Sequence, residues 1–303
     1  MTLILTLVTR GDSAERLAHA APGGVGAPME SSGKTWSVIT RSIDAKLQAD
    51  LVAYLQAESP ARQADWAITH AAGRRKRLLI SDMDSTIIGQ ECLDELADFA
   101  GLKAEVSAIT ERAMRGELDF ASALTERVAM LKGLDLSALE ACYSQRVTLN
   151  PGAKALVATM KANGARCVLV SGGFRFFTSR VAKTAGFDTD RANILIDDGK
   201  ALTGAVGLPI LGREAKLAAL REEALALGAT PAEAVALGDG ANDLDMIRAA
   251  GLGVAYKAKP IVAAETMARI EHTDLTAALF FQGYAENEIV FGNGQSAVGR
   301  SPS

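Results

Sequence analysis

Apolar residues come in short runs along this chain, set between stretches where they recur at helical spacing. Residues 3–9, a run of Leu, Ile, Val and Thr, predict a strand. A short helix through residue 20, capped by Ser13, and a Gly/Pro-rich loop over 22–33 are expected next. Residues 36–40 predict a second strand. Residues 44–56 predict an amphipathic helix with Leu47, Leu51, Ala53, Tyr54 and Leu55 on its apolar positions. With a further strand over 64–70, residues 1–72 form a small α/β unit near the lower size limit for independent folding. Ala71-Ala72-Gly73 reads as a linker, and Arg74-Arg75-Lys76-Arg77 as a solvated strand entry.

The apolar run 78–81 then predicts a buried strand, and the pattern turns helical over 91–100, 104–114, 120–131 and 137–146. These four helices make an insertion at about 90–148. After Asn150-Pro151-Gly152 the alternation returns. It gives a helix over 153–163 ending at Gly164, a strand over 166–170, and a helix reaching Gly186. A hairpin is expected over 193–196 and 201–206, turning through Asp197-Asp198-Gly199-Lys200. Then follow a helix over 214–226, a strand over 234–237, a helix over 244–250, a strand over 253–255 and a helix over 261–269. The Gly/Ser-rich tail 291–303 is expected to be disordered. Strands alternating with helices over 73–290 predict an α/β fold, a doubly wound parallel sheet covered on both faces.

Composition narrows the class. The 303 residues are 49% apolar and 22% charged with a net charge of -4, the balance of a globular protein without a nucleic-acid or membrane partner. Cys92, Cys142 and Cys167 show no CxxC spacing, which argues against a disulfide framework or a zinc site. His19 and His70 are isolated. The first ten residues lack a basic leader and a small-residue cleavage site, and no apolar run approaches the ~20 residues of a membrane span. The expected location is the cytoplasm.

In a parallel sheet, ligands gather at the carboxyl ends of the strands. Three predicted strand ends carry special residues. The first ends in Asp82-Met83-Asp84-Ser85-Thr86, where residues two apart on an extended chain point the same way. The second ends in Ser171-Gly172-Gly173, the third in Gly238-Asp239-Gly240-Ala241-Asn242-Asp243. Taken singly, these are also a turn, a strand-to-helix connection and an acidic loop, and Lys216 at a helix start is also a solvated charge. Together, Asp82, Asp84, Asp239 and Asp243 would repel one another without a cation, and an all-oxygen set suits Mg²⁺. Ser171 with its glycines offers a hydroxyl and backbone N–H groups to an anion, and Lys216 could add positive charge. A phosphate between them satisfies all of these groups.

In this order the motifs resemble the haloacid dehalogenase superfamily of phosphotransferases. Glu91, Arg127 within Glu126-Arg127-Val128, and Val170-Ser171-Gly172-Gly173-Phe174 narrow the resemblance to its phosphoserine phosphatase branch, over about residues 76–285. The resemblance implies Mg²⁺-dependent hydrolysis of O-phospho-L-serine, the last step of serine biosynthesis. It makes Asp82 the nucleophile that forms an aspartyl-phosphate. Asp84 becomes the acid and then the base, which calls for a higher effective pKa than that of Asp82. Mg²⁺ would be held by the Asp82 side chain, the Asp84 carbonyl and Asp239, with Asp243 in support. Ser171 and Lys216 would bind the phosphoryl group, and Asn242 with the Gly172 and Gly173 backbone would complete the cradle. Glu91 would take the substrate ammonium and Arg127 its carboxylate, both from a helical cap; Phe120 would wall the pocket, and Met114 would wall it or, as the favoured alternative, pack the core of the cap. The unit 1–72 is similar in pattern to a small ACT-type domain, which could bind an amino acid, mediate homodimer formation or be vestigial. Alternatives at this point are another small phosphomonoester as substrate, phosphoryl transfer to a second alcohol, or an amino-acid sensor.

Overall fold

A computed structural model describes residues 2–10, 14–32, 35–114, 117–291 and 295–296. The expected Ser13 cap and most of the expected tail lie outside these residues; Gln295–Ser296 pairs with Val290–Phe291. The strands are β1 Leu3–Thr9, β2 Gly24–Ser32, β3 Ser37–Ile43, β4 Asp65–His70, β5 Leu78–Ser81, β6 Arg166–Phe174, β7 Thr189–Asn193, β8 Leu195–Asp197, β9 Leu202–Val206, β10 Ala234–Gly238, β11 Leu252–Tyr256 and β12 Ala268–Ile270. Ten of them form one sheet in the order β2-β3-β1-β4-β12-β11-β10-β5-β6-β7. From β12 to β7 the pairing is parallel, and from β2 to β12 it is antiparallel.

The parallel strands follow from their composition. All four residues of β5 and all five of β10 are buried, as continuous apolar strands covered on both faces must be. Their side chains alternate between layers. Leu79, Cys167, Leu169, Val235 and Leu237 enter the larger core, beneath α7 (Ala153–Ala162), α8 (Arg175–Ala185) and α12 (Ala277–Phe281). Leu78, Ile80, Val168, Val170, Ala234 and Ala236 face the opposite layer, formed by α9 (Arg213–Ala226) and α10 (Leu244–Ala249). From β5 the chain steps outward through β6 to β7, then returns to β10 on the other side of β5 and steps outward to β12. The order therefore reverses between β5 and β10, which opens a crevice at their carboxyl ends. Over this crevice sit the inserted helices α3 (Cys92–Phe99), α4 (Lys103–Met114), α5 (Phe120–Met130) and α6 (Leu136–Arg146).

Four sequence expectations change. The expected loop over 22–33 contains β2, an edge strand whose Gly and Pro residues conceal it. The expected helix over 261–269 is one turn, α11 (Pro260–Ala263), followed by β12. A short apolar run cannot distinguish helix from strand, and here β4 and β11 offer pairing edges on both sides. The polar strand β7 has only β6 for a neighbour, so no apolar run announces it. Finally, the N-terminal unit, which carries α1 (Ala14–Ala20) and α2 (Gln48–Arg62), is continuous with the main sheet through β4 and β12. The Ile68 N–H also donates to the Met267 carbonyl at 2.7 Å.

The basic cluster is a partly solvated strand entry, as expected, and also a set of staples. Arg74 Nη2 donates to Thr6 Oγ1 at 2.8 Å and to the carbonyls of Phe280 and Phe281. Arg75 grips Glu288 through both carboxylate oxygens and lies over Tyr284. Lys76 donates to the Ala232 carbonyl, and Arg77 to Glu233 and the Leu227 carbonyl.

A buried carboxylate completes the junction. Asp65, at the start of β4, is 1% exposed and accepts the N–H groups of Glu271, His272 and Thr273 at 2.7, 2.9 and 2.8 Å, together with the Thr273 hydroxyl. Asp65→Ala would leave three backbone donors without this partner. It is expected to lower the unfolding free energy by about 3 kcal/mol or more; urea denaturation reads the loss, and a change within experimental error would refute it.

Candidate active site

The Asp82 N–H donates to the Leu237 carbonyl at 3.0 Å, extending the pairing of β5 with β10 by one residue. The chain then coils once. The N–H groups of Thr86, Ile87 and Ile88 all converge on the Met83 carbonyl, and Ser85 takes a left-handed φ of 55°. This coil leads into the cap. Its exit strand returns alongside, with Ile88 bridged to Leu149, Gln90 bonded to Thr148, and Asn150 Nδ2 donating to the Thr86 carbonyl at 2.8 Å. The cap is thereby zipped to the core at both linkers, and the start of α3 reaches the crevice. There the Cys92 N–H donates to Asp84 Oδ1 at 2.9 Å.

Lys216, in the first turn of α9, is buried between two carboxylates. Its Nζ lies 2.8 Å from Asp82 Oδ1 and 2.6 Å from Asp243 Oδ1, with only 2% of the side chain exposed. The reading of Lys216 as a solvated charge is excluded. Burial alone would lower its pKa, but Asp82 and Asp243 outweigh that and raise it. Asp243 is heavily engaged: Oδ1 takes the lysine, and Oδ2 accepts the N–H groups of Asp239 and Gly240 at 3.2 and 3.0 Å. Asp82 Oδ1 also accepts the Met83 N–H at 2.8 Å. The Asp239 carboxylate accepts a long bond from Thr86 Oγ1 at 3.4 Å.

Asp82, Asp239 and Asp243 bring carboxylate oxygens within 4.8 Å of one another, a group that could hold a metal ion. With Asp243 spoken for, the acceptor capacity left belongs mainly to Asp82 and Asp239. These are hard oxygen donors, matched to a hard divalent cation.

Asp84 faces the second strand end. Ser171 Oγ donates to Asp84 Oδ2 at 3.1 Å and accepts the Gly173 N–H at 2.8 Å. A Cβ on Gly173 would stand 2.9 Å from Asp84 Oδ2 and 3.1 Å from Ser171 Oγ, so any larger residue there would displace one of these groups. Burial, then Asp243, raises Asp82 well above the ordinary carboxyl range; burial also raises Asp84, against the bonds from Cys92 and Ser171.

Asp82, Asp84, Ser171, Gly172, Gly173, Asp239 and Asn242 line one cleft of about 230 Å³, with Glu91, Phe120 and Arg127 on its cap side. Lys216 and Asp243 stand behind Asp82 rather than on the cleft wall. Ser85 Oγ donates to Glu91 Oε1 at 2.7 Å, yet the Glu91 carboxyl is pushed up to about 7, first by desolvation at the cleft wall and then by Asp84. Phe120, at the start of α5, lies 3.1 Å from where a Cβ on Gly172 would be and 3.3 Å from one on Gly212, so it closes the cap onto the core. The Met114 side chain lies outside the described residues. Sequence reasoning missed Lys259, which lines the same cleft and whose N–H donates to the Asp239 carbonyl at 2.9 Å. Lys259 belongs to no motif singled out in the sequence; Thr86 was quoted within the first motif but given no role.

Residues 79–248 match the haloacid dehalogenase-like hydrolases. The chain belongs to that family. It is an enzyme, a hydrolase, and among curated proteins it is 48% identical to the phosphoserine phosphatase of Polaromonas sp. strain JS666 over 208 residues, 67% of this chain and 88% of that one. A crystal structure of a haloacid dehalogenase family hydrolase from Salmonella enterica serovar Typhi superposes with a TM-score of 0.84 at 30% identity, covering 92% of this chain and 98% of that one. A phosphoserine phosphatase structure described as a phospho-aspartyl intermediate analogue gives a TM-score of 0.62 at 38% identity, covering 68% and 99%. Among the described residues, no helix of this hydrolase is long and apolar enough to cross a membrane.

The charge cluster makes a stability prediction with a definite sign. Asp239 is raised, first by burial and then by Asp243. A carboxyl with a raised folded-state pKa favours folding below its unfolded pKa and opposes it as pH rises through the folded value. At neutral pH, ionised Asp239 therefore weakens the metal-free protein. Asp239→Asn is expected to raise Tm in chelator by about 2–4 °C and to abolish the further rise given by a divalent cation. Calorimetry with and without the cation checks both, and a lower Tm in chelator would contradict the argument.

Proposed function

We propose that the protein hydrolyses O-phospho-L-serine to L-serine and phosphate, the reaction that ends serine biosynthesis, with Mg²⁺ as cofactor. One observation carries this reading. A single cleft has Asp82 and Asp84 on its core wall and Glu91 with Arg127 on its cap wall, so groups for a phosphate face groups for an amino acid. The Glu91 carboxyl, raised to about 7, suits an ammonium that would restore its charge. The guanidinium of Arg127, half-buried and lowered by burial, suits the substrate carboxylate.

An oxygen of Asp82 attacks phosphorus, and the bond to the serine oxygen breaks. Asp84 gives its proton to that oxygen as it leaves. Asp84, now ionised, takes a proton from water as the water attacks the aspartyl-phosphate, which releases phosphate and regenerates Asp82. Mg²⁺, held by the Asp82 side chain, the Asp84 carbonyl and Asp239, would supply the positive charge that favours ionised Asp82 and offsets the phosphate. Asp243 and Lys216 fix Asp82 from behind. Asn242 and the Gly172 backbone form the phosphoryl cradle, bordered by Ser171, whose Oγ donates to Asp84 Oδ2 and accepts the Gly173 N–H. Residues 73–290 are the catalytic part with its cap at about 90–148, and 1–72 is an accessory ACT-like unit.

A phosphate-release assay on phosphoserine, phosphothreonine and p-nitrophenyl phosphate, with and without Mg²⁺, tests the assignment. Phosphoserine should exceed phosphothreonine at least about tenfold, and omission of the metal should stop all three. Equal rates would remove the substrate assignment, and undiminished rates without a divalent cation would remove the cofactor. Asp82→Asn should leave a folded protein without turnover. Arg127→Ala should lower kcat/KM for phosphoserine by about 10–100-fold and leave phosphoethanolamine, which lacks the carboxylate, much less affected. Equal losses on the two substrates would exclude the role given to Arg127.

A further inference from the structure

Asn193 closes β7, is 1% exposed, and belongs to no motif that the sequence singled out. Its carboxamide makes three hydrogen bonds, all to backbone. Nδ2 donates to the Gly172 carbonyl at 2.8 Å and to the Leu211 carbonyl at 3.1 Å, and Oδ1 accepts the Leu211 N–H at 2.6 Å. The orientation of the amide is unambiguous, because the flipped amide would set an oxygen against two carbonyls. One side chain thus ties the Ser171-Gly172-Gly173 turn to the segment that enters α9 and Lys216.

The bond to Gly172 has a directional consequence. The peptide joining Gly172 and Gly173 is planar, with its C=O and N–H pointing opposite ways. With the C=O held by Asn193, the N–H points to Ser171 Oγ at 2.8 Å. A hydroxyl that accepts there turns its own proton elsewhere, and Asp84 Oδ2 lies 3.1 Å away. Two successive glycines leave this peptide free to rotate, and a reversed peptide would present a carbonyl oxygen to the site in place of an N–H. We propose that Asn193 is a positioning residue which, by fixing the Gly172–Gly173 peptide, sets the Ser171 hydroxyl on Asp84 and so orients the carboxyl that protonates the leaving group. This rests on the acid role given to Asp84 above.

A buried asparagine that merely stabilises a loop would reduce all activities together. A positioning role predicts a dependence on the leaving group, because an alkoxide needs a proton and p-nitrophenolate does not. In the full-length protein, Asn193→Ala and Asn193→Asp, which keeps the shape but cannot donate, should lower kcat on phosphoserine about tenfold or more, with KM nearly unchanged. The rapid-mixing burst of p-nitrophenolate, which reports only the first step, should fall by less than about threefold. Equal losses on both substrates, or a change confined to KM, would overturn the proposal. Should Asn193→Ala not yield folded protein, Asn193→Ser supports the same comparison. Asp84→Asn serves as the control. If it shows no leaving-group dependence, the acid role of Asp84 fails; if it does and the Asn193 variants do not, the positioning inference fails alone.

Discussion

An ammonium buried between two carboxylates organises this molecule. Taking Lys216, Asp82 and Asp243 out of water costs several kcal/mol per charge, offset only while all three stay within hydrogen-bond distance. They arrive from distant parts of the chain: the end of β5, the first turn of α9 and the loop after β10. The cluster therefore depends on the pairing of β5 with β10 and on α9 packing Ala219, Leu220 and Ala224 against the strands beneath. Three carboxylates (Asp82, Asp239, Asp243) against one lysine leave a formal excess of two negative charges, 3 minus 1. Lys259, which also acts on Asp239, offsets this excess only in part, and a divalent cation suits what remains.

The same strand end serves two environments. Asp82 faces the charged cluster and Asp84 faces hydroxyl and amide donors, although a single residue separates them. The tight coil around the Met83 carbonyl makes this possible, because it turns the chain immediately after Asp84 and delivers the Cys92 N–H to its carboxylate. Cap and Asp84 are thus linked at the entrance of α3.

Much of this was legible in the sequence. Asp82, Asp84, Ser171 and Asp239 stand at strand ends, where composition marks the strand and a parallel sheet gathers the ends together. The helices of the cap could be read from their spacing. What escaped depends on partners remote in sequence. The burial of Lys216 is created by α9 docking, and its own neighbours in the chain look like those of a surface lysine. Asn193 is recognised only through backbone atoms of residues 172 and 211, which no side-chain pattern encodes. The strand β12 exists because β4 and β11 flank it. The elements of the N-terminal unit were recognised, but not that they extend the main sheet.

That continuity bears on how the chain tolerates change. β4 covers an edge of β12 that would otherwise present free N–H and C=O groups, and Trp36 rests edge-on against Phe280. Cutting the chain near residue 72 would uncover a strand edge, an apolar patch and the four donors that Asp65 satisfies, a surface suited to self-association. The N-terminal unit is thus also a guard on the solubility of the main sheet.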